Sequence, residues 1–167
     1  MSCTIYDALK EMRARFGHDK AKLGRRFEEA TRYYLKNDPF YRSRFVHIWP
    51  WMDAPMCDGV DYGIDIVAQD ADGSYWAIQC KCWDESSTLT EKALGTFYSA
   101  ADPSQFAHRM IVSTTARYSP QLDKVASKWQ TVRVDTAHIH EANLDWEPFI
   151  YNRPDALART IYEPLEH

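Results

Sequence analysis

The sequence predicts an α/β protein, because helical and β-rich segments alternate along its 167 residues. Two amphipathic helices come first, three β-rich segments follow, and a helix, a strand, a helix and a strand complete the order. Apolar residues make up 45% of the chain and aromatic residues 14%, which suits a packed core in a single domain.

Apolar residues at helical spacing define the two N-terminal helices. The first helix is predicted over residues 4–16 and ends at Gly17; its apolar stripe consists of Ile5, Leu9, Met12 and Phe16. The second is predicted over residues 19–36 and is closed by Asn37-Asp38-Pro39; its apolar face consists of Leu23, Phe27, Ala30 and Tyr34.

The β-rich segments surround a strong turn signal. Residues 44–49 predict a strand, and residues 50–60 predict a loop because they contain two prolines and a glycine. Strands over 63–69 and 74–83 flank Asp70-Ala71-Asp72-Gly73 and together predict a β-hairpin.

The second half of the chain continues the alternation. A helix is predicted over 90–101 with Thr88 or Thr90 as its N-cap, and a buried strand over 109–113. A helix over 119–129 and a short strand over 131–134 follow. The tail from 143 to 164 is rich in Trp, Pro and Tyr and receives no assignment.

Several classes of protein are excluded by bulk features. No stretch approaches the roughly 18 apolar residues of a membrane span, and the N-terminus lacks the apolar core of a signal peptide. The cysteines at 3, 57, 80 and 82 show no CxxC spacing, so we expect neither a zinc site nor a disulfide framework, and a cytoplasmic setting. Leu165-Glu166-His167 resemble the start of a vector-encoded tag, so we expect one domain over 1–164, excised from a larger protein.

Charge is distributed unevenly, although the chain as a whole has a net charge of −4. Residues 1–36 carry nine Lys or Arg against five Asp or Glu, a net +4, which leaves −8 for the remainder. A basic N-terminal part could face phosphates, and an ordinary solvated helix surface explains the same charges.

Polar side chains with potential catalytic chemistry lie along the second hairpin strand. Gln79 and Lys81 alternate with Ile78, Cys80 and Cys82. Because side chains of a strand point alternately to its two faces, the amide and the ammonium share one face. The cysteines share the other face as small core residues.

The turn decides whether Asp65 joins Gln79 and Lys81. A two-residue turn at Asp72-Gly73 pairs residue 65 with residue 80, on the cysteine face. A three-residue loop over 71–73 pairs residue 65 with residue 79 and puts Gly73 in the left-handed position that such a loop requires. We therefore expect Asp65, Gln79 and Lys81 on one face.

A carboxylate, an amide oxygen and an ammonium on one patch suit phosphodiester chemistry. Mg²⁺ prefers oxygen ligands, which Asp65 and the Gln79 carbonyl can supply. Lys81 can orient or deprotonate an attacking water, or stabilise charge at phosphorus. The residues alone leave open a solvated hairpin face with a Lys–Asp pair.

The pattern Asp65 and Gln79-Cys80-Lys81 resembles the D…QxK variant of the PD-(D/E)xK nuclease superfamily, as in Mrr-like restriction endonucleases. Residues 61–68 and 76–81 resemble the N-terminal nuclease domain of helicase-containing type ISP restriction enzymes. Gly24-Arg25-Arg26-Phe27-Glu28 resembles the first-helix motif of that group, and residues 111–115 resemble the strand and turn after the hairpin. The resemblance covers about residues 20–130.

The resemblance implies a restriction-endonuclease-like αβββαβ core, in which helices flank a mixed central sheet. It also implies a Mg²⁺-dependent DNA endonuclease, with Mn²⁺ able to substitute. Glu28, Asp65 and Gln79 would surround the metal, and Lys81 would be catalytic. Because the superfamily's strongest form has Asp or Glu where this chain has Gln79, we expect weaker metal binding.

Double-stranded DNA is the substrate that the resemblance implies. Covalently linked helicase, methyltransferase and target-recognition domains are expected in the full-length protein, since none fits into 167 residues. The candidate DNA contacts are Lys20, Lys22, Arg25, Arg26, Arg117 and Tyr118. Two alternatives stay open: a catalytically weak or inactive DNA-binding module of the same fold, and a stand-alone resolvase or repair nuclease.

Overall fold

A mixed five-stranded sheet organises the computed structural model, which describes residues 2–151. The strands lie in the order β1-β2-β3-β4-β5. β1 and β3 pair antiparallel with β2, whereas β4 pairs parallel with both β3 and β5. The strands are β1 (Phe45–Pro50), β2 (Ile66–Asp70), β3 (Tyr75–Lys81), β4 (His108–Ser113) and β5 (Val132–Val134). The α/β class with a mixed sheet is thus confirmed.

Helices cover both faces of the sheet. Within residues 2–151 they are α1 (Ile5–Phe16), α2 (Lys20–Asn37), α3 (Pro39–Arg44), α4 (Glu91–Ala100), α5 (Pro120–Lys128), α6 (Thr136–Glu141) and α7 (Glu147–Tyr151). A single 3-10 turn follows β1 at Trp51–Asp53. In this described part of the chain, every helix is too short or too polar to cross a membrane.

The main helices begin where the sequence offers a capping side chain. The Thr4 hydroxyl accepts a hydrogen bond from the Asp7 N–H, and the Asp7 carboxylate accepts one from the Thr4 N–H, which forms a capping box. Asp19 caps α2 through the N–H groups of Ala21 and Lys22. Thr90, rather than Thr88, caps α4.

Two hydrophobic clusters lie on opposite faces of the sheet. The first contains residues of α1, α2, α6 and α7, packed on Ile66, Ile78 and Val112 of the sheet. The second contains residues of α4 and α5, packed on Val67, Ala77 and Ile111. The alternating in-and-out pattern of the strands therefore fills both sides, as expected for a sheet between helical layers.

Three short helices were not predicted. Asp38 and Pro39 do end α2, but the Asp38 carboxylate accepts hydrogen bonds from the Phe40 and Tyr41 N–H groups and so starts α3. α6 and α7 lie in a stretch where the sequence gives no apolar periodicity. The strand predicted from residue 63 begins only at Ile66. Residues 152–164 of the predicted domain, and Leu165-Glu166-His167, lie outside the described residues.

Candidate functional site

The hairpin has the register that the three-residue turn predicts. The Asp70 N–H donates to the Ser74 carbonyl (2.8 Å) and the Gly73 N–H to the Asp70 carbonyl (2.9 Å), with Gly73 at φ +90°. Ile66 pairs with Ile78, the last regular pair of the ladder, and the same register continued would put residue 65 opposite residue 79. The Asp65 N–H instead donates to the Ile78 carbonyl at 3.0 Å, one residue out of that register, so the regular ladder ends at Ile66. The predicted 71–73 loop is confirmed.

Side-chain alternation separates the polar residues of β3 from its cysteines. Cys80 and Cys82 pack against the first hydrophobic cluster, on the α2 side of the sheet, as predicted for small core residues. Gln79 and Lys81 lie on the alternate parity, toward α4. Lys81 is the last residue of β3, and its carbonyl accepts a hydrogen bond from the Thr114 N–H beyond β4. The ammonium therefore emerges where two parallel strands end.

The Asp65 carboxylate is held by the backbone of β3. Its Oδ2 accepts a hydrogen bond from the Cys80 N–H at 2.8 Å. Burial raises the pKa of Asp65 to about 6, against the opposing influence of that hydrogen bond and of the Lys81 charge. The charge of Asp61 raises it further. A carboxylate in this state is costly to ionise without a cation nearby.

Glu28 on α2 shares the electrostatic environment of Asp65. Burial raises the pKa of Glu28 to about 7, and the charges of Asp65 and Asp61 raise it too, whereas Arg32 and Arg25 lower it. This repulsion is short-ranged in water, so it indicates that the helix brings Glu28 toward the hairpin acids. Residues on two different elements thus converge on one acidic patch.

Gln79 presents an oxygen without a partner. The residue is 6% exposed, and its Oε1 atom is buried with no hydrogen-bond donor in reach. A buried acceptor left unpaired costs about 1–3 kcal/mol, so such atoms are uncommon without a ligand. Its amide packs beside Gly63, where the φ of +83° disfavours any residue with a side chain although a Cβ atom would make only ordinary contacts.

The donor set fits a hard divalent cation. Among residues 2–151, His, Cys, Asp and Glu alone form no group of three that could hold a metal ion. The oxygen donors near the hairpin are the Glu28 and Asp65 carboxylates, which are coupled electrostatically, and the orphaned amide oxygen of Gln79, which lies on the side of the sheet that faces α4. Oxygen ligands suit Mg²⁺ or Mn²⁺, and a cation beside the two carboxylates would relieve their repulsion.

The candidate DNA contacts on α2 separate into two groups. Lys20, Lys22 and Arg25 are exposed near the start of the helix and remain available for phosphates. Arg26 is 5% exposed; its Nη2 donates to the Phe149 carbonyl at 2.7 Å, and its guanidinium lies 3.7 Å from the centre of the Phe149 ring. Arg26 is therefore a core residue that joins α2 to α7, and its prediction as a DNA contact was wrong.

The two candidates after β4 also differ. Arg117 is exposed, and its Nη1 donates to the Ser86 carbonyl at 3.4 Å, so its head group borders the region beyond β3. Tyr118 packs against the second cluster beneath the Arg133 guanidinium, 4.5 Å from the ring centre, and burial raises its pKa. This packing leaves Tyr118 poorly placed to reach DNA.

Asp61 is a residue that sequence reasoning did not select. Its charge raises the pKa values of both Glu28 and Asp65, so it belongs to the same acidic patch. Its Oδ1 accepts a hydrogen bond from the Gly63 N–H at 2.9 Å, which helps to shape the turn that leads into Asp65. Its position four residues before Asp65 was the available signal, since a short loop returns it to the strand start.

Comparison with known proteins identifies a sequence family. Residues 36–156 match an Mrr-type family described as restriction endonuclease, which covers most of the chain. The matched range includes Asp65, Gln79 and Lys81 and begins after Glu28. No curated protein matches the chain by sequence at a significant level.

Solved structures with the same fold include three restriction enzymes. The ATP-dependent type ISP restriction-modification enzyme LlaBIII, solved bound to DNA, has a TM-score of 0.71 and 21% identity over 92% of this chain. The DNA modification-dependent restriction endonuclease AspBHI has a TM-score of 0.54 and 12% identity over 92% of this chain. The MspJI restriction endonuclease, solved in complex with an oligonucleotide, has a TM-score of 0.51 and 12% identity over 96% of this chain. The chain spans only 9%, 37% and 35% of these proteins, respectively. At these identities the likeness establishes a shared fold.

Proposed function

The chain belongs to the Mrr-type restriction endonuclease family, and from that premise we propose that it is a DNA endonuclease module that requires a divalent metal. Its centre is formed by Glu28, Asp65, Gln79 and Lys81. The hydrogen bond from the Cys80 N–H to the Asp65 carboxylate carries this proposal, because it holds a carboxylate against the strand segment that contains the buried, unpartnered amide oxygen of Gln79 and the ammonium of Lys81. Metal dependence is supported by the chemistry of these oxygen donors.

Each side chain has a role that its environment suits. Glu28, Asp65 and Gln79 Oε1 would hold Mg²⁺ or Mn²⁺, which supplies Lewis-acid polarisation of a phosphoryl oxygen and lowers the pKa of water. The Cys80 N–H fixes the Asp65 carboxylate through its hydrogen bond, so the carboxylate needs little reorganisation. The Lys81 ammonium orients the attacking water and offsets negative charge on the phosphate.

The chain would act within a larger restriction enzyme. It spans 9% of LlaBIII, which is ATP-dependent and carries a modification activity. We therefore propose that a helicase, a methyltransferase and a target-recognition domain accompany this module and direct it to double-stranded DNA. On its own the module should nick or cut DNA weakly and with little sequence preference.

Cleavage of supercoiled plasmid tests the proposal. We expect the wild-type protein to relax plasmid with Mg²⁺ or Mn²⁺ but not with EDTA, and we expect Lys81→Ala and Asp65→Asn to lose at least about 100-fold in rate. Lys92→Ala and Glu91→Gln alter exposed residues of α4 and serve as matched controls that retain activity. An equal rate of plasmid relaxation by Lys81→Ala and by the wild-type protein would contradict the proposed catalytic centre. Metal-independent binding of DNA without cleavage would favour the inactive DNA-binding module.

A further inference from the structure

A groove of about 660 Å³ extends from Lys81 along the N-terminal half of α2. Its walls include Arg13 at the end of α1, Lys20 on α2 and Trp83 just beyond β3. The volume lies within the range of roughly 300–1,000 Å³ that is typical of ligand sites. The groove therefore includes the proposed catalytic lysine, and the acids of the patch, Glu28, Asp61 and Asp65, are not among its lining residues.

The groove carries positive charge on both walls. Arg13, Lys20 and Lys81 line it, and Asp84 is the acid among its lining residues. Asp84 is engaged locally, because its Oδ1 accepts hydrogen bonds from the N–H and the hydroxyl of Ser86. Arg13 is fixed in place by donating through Nη2 to the Trp83 carbonyl at 2.8 Å. The groove thus has three cationic side chains and one carboxylate that is already hydrogen-bonded, a balance of charge that favours an anionic ligand.

Gly24 keeps the groove open at a cost to the helix. It lies inside α2, where glycine is less favourable than alanine by about 1 kcal/mol. The fold gives no reason for it: a Cβ atom there would meet nothing within 4 Å, and Gly24 is not among the glycines with positive φ. Since Gly24 lines the groove, a side chain there would project into it. The unexplained glycine is thus an observation independent of the charges.

An aromatic ring completes the wall next to the lysine. The Lys81 Nζ atom lies 5.8 Å from the centre of the Trp83 ring, so an ammonium and an indole face are adjacent. Cations bind the phosphates of a nucleic-acid strand, whereas an indole packs against its sugars and bases. A nucleotide strand is the ligand that matches both features.

We propose that this groove binds the sugar-phosphate backbone of the cleaved DNA strand next to the scissile phosphate, with Arg13 and Lys20 as phosphate contacts and Gly24 as the residue that admits the strand. The inference rests on the proposed nuclease function and adds the path by which the substrate reaches Lys81. It assigns roles to Arg13, Gly24 and Trp83.

Two matched glycine variants test the groove. Gly95 lies inside α4, and a Cβ atom there would also meet nothing within 4 Å, but Gly95 does not line the groove. Gln is a good helix former, so Gly24→Gln and Gly95→Gln should both raise the melting temperature by roughly 2–4 °C. We expect only Gly24→Gln to weaken binding of a labelled DNA duplex, about tenfold, which corresponds to about 1.4 kcal/mol.

A salt titration tests the charge. Fluorescence anisotropy with the duplex in Ca²⁺ gives Kd at several salt concentrations for the full chain. Lys20→Ala should reduce the slope of log Kd against log salt by about 0.9, the value of one phosphate contact, and Lys92→Ala should leave it unchanged.

The outcomes separate the two proposals. If wild type binds and cleaves DNA while Gly24→Gln binds as tightly as Gly95→Gln, the groove proposal fails and the nuclease proposal stands. If wild type neither binds nor cleaves DNA, the nuclease proposal fails and the groove proposal falls with it. A stabilised Gly24→Gln protein with weakened binding and slowed cleavage supports both.

Discussion

Replacing Asp65 by Asn should stabilise the metal-free protein at pH 8. The Asp65 carboxylate is partly buried, and this burial, with a smaller contribution from the charge of Asp61, raises its pKa to about 6 from a reference of 3.8. An Asn side chain has the same shape and its oxygen can still accept the Cys80 N–H hydrogen bond. The substitution therefore removes an unfavourable charge while it preserves the packing.

The size and sign of the stability change in Asp65→Asn follow from the raised pKa of Asp65. A pKa raised by about two units means that ionised Asp65 destabilises the fold by up to about 3 kcal/mol at pH 8. Because the folded pKa is raised, the protonated group contributes its full share of stability below about pH 4, and that share is lost as the pH rises through 6. The Asp65→Asn gain should thus be near zero at pH 4 and complete above pH 7.

Thermal unfolding in EDTA at pH 4.5, 6 and 8 measures this gain. At pH 8 it should amount to roughly 6–12 °C in melting temperature for a chain of this size. Asp72→Asn is the matched control in the same hairpin, because hydrogen bonds from Ser74 lower the Asp72 pKa and its loss should give no gain. An Asp65→Asn protein that is less stable than wild type at pH 8 would refute the reasoning.

Three further predictions follow from the same structure. Mn²⁺ affinity should rise about fourfold from pH 6.5 to 8, because a proton competes with the ion for Glu28, whose pKa is raised to about 7. The Glu28→Gln variant should show a flatter dependence of Mn²⁺ affinity on pH, and an unchanged dependence would contradict the assignment of Glu28 as a ligand. Arg26→Met should lose about 2–4 kcal/mol in denaturant unfolding, because it leaves the Phe149 carbonyl and Glu29 without their partner, and a loss below 0.5 kcal/mol would argue against a core role. Gly73→Ala should lose about 1–2 kcal/mol through its positive φ alone, since a Cβ atom there meets nothing within 4 Å, and Gly95→Ala, with equal space in a helix, should gain stability instead.

The hairpin was predictable because its sequence favours one loop length, the three-residue loop with Gly73 in the left-handed conformation. Gly73 is the residue that tolerates a left-handed conformation, and once it occupies the third loop position, the register of the two strands is fixed as far as Ile66. Local turn chemistry thus determines the register of the hairpin, in which Ile66 pairs with Ile78.

The helices that were missed depend on contacts made after the chain folds. α7 is only five residues long, and its position is fixed by Arg26 and by the Tyr33 ring against Phe149. Short helices gain little from intrinsic propensity, so tertiary packing decides them. Arg26 itself could have been identified, since it lies three residues after Leu23 and four before Ala30, within the buried stripe of α2.

Two features of the site could not be obtained from the sequence. The resemblance suggested Glu28, but the convergence of α2 on the hairpin is a tertiary fact, and it appears in the influence of the Asp65 charge on the pKa of Glu28. The burial of the Gln79 oxygen without a donor likewise depends on the complete packing around β3. Both features concern electrostatic and hydrogen-bond satisfaction, which a linear pattern does not encode.

A Mn²⁺ binding titration tests the central claim, that Asp65 and Gln79 hold a divalent ion beside Lys81. Isothermal calorimetry at pH 8 should give one site in the wild-type protein, no measurable binding in Asp65→Asn, and weaker binding in Gln79→Leu. Gln79→Glu should bind at least about tenfold more tightly, because a carboxylate replaces a neutral ligand. Equal Mn²⁺ affinity in wild type, Asp65→Asn and Gln79→Glu would contradict the account.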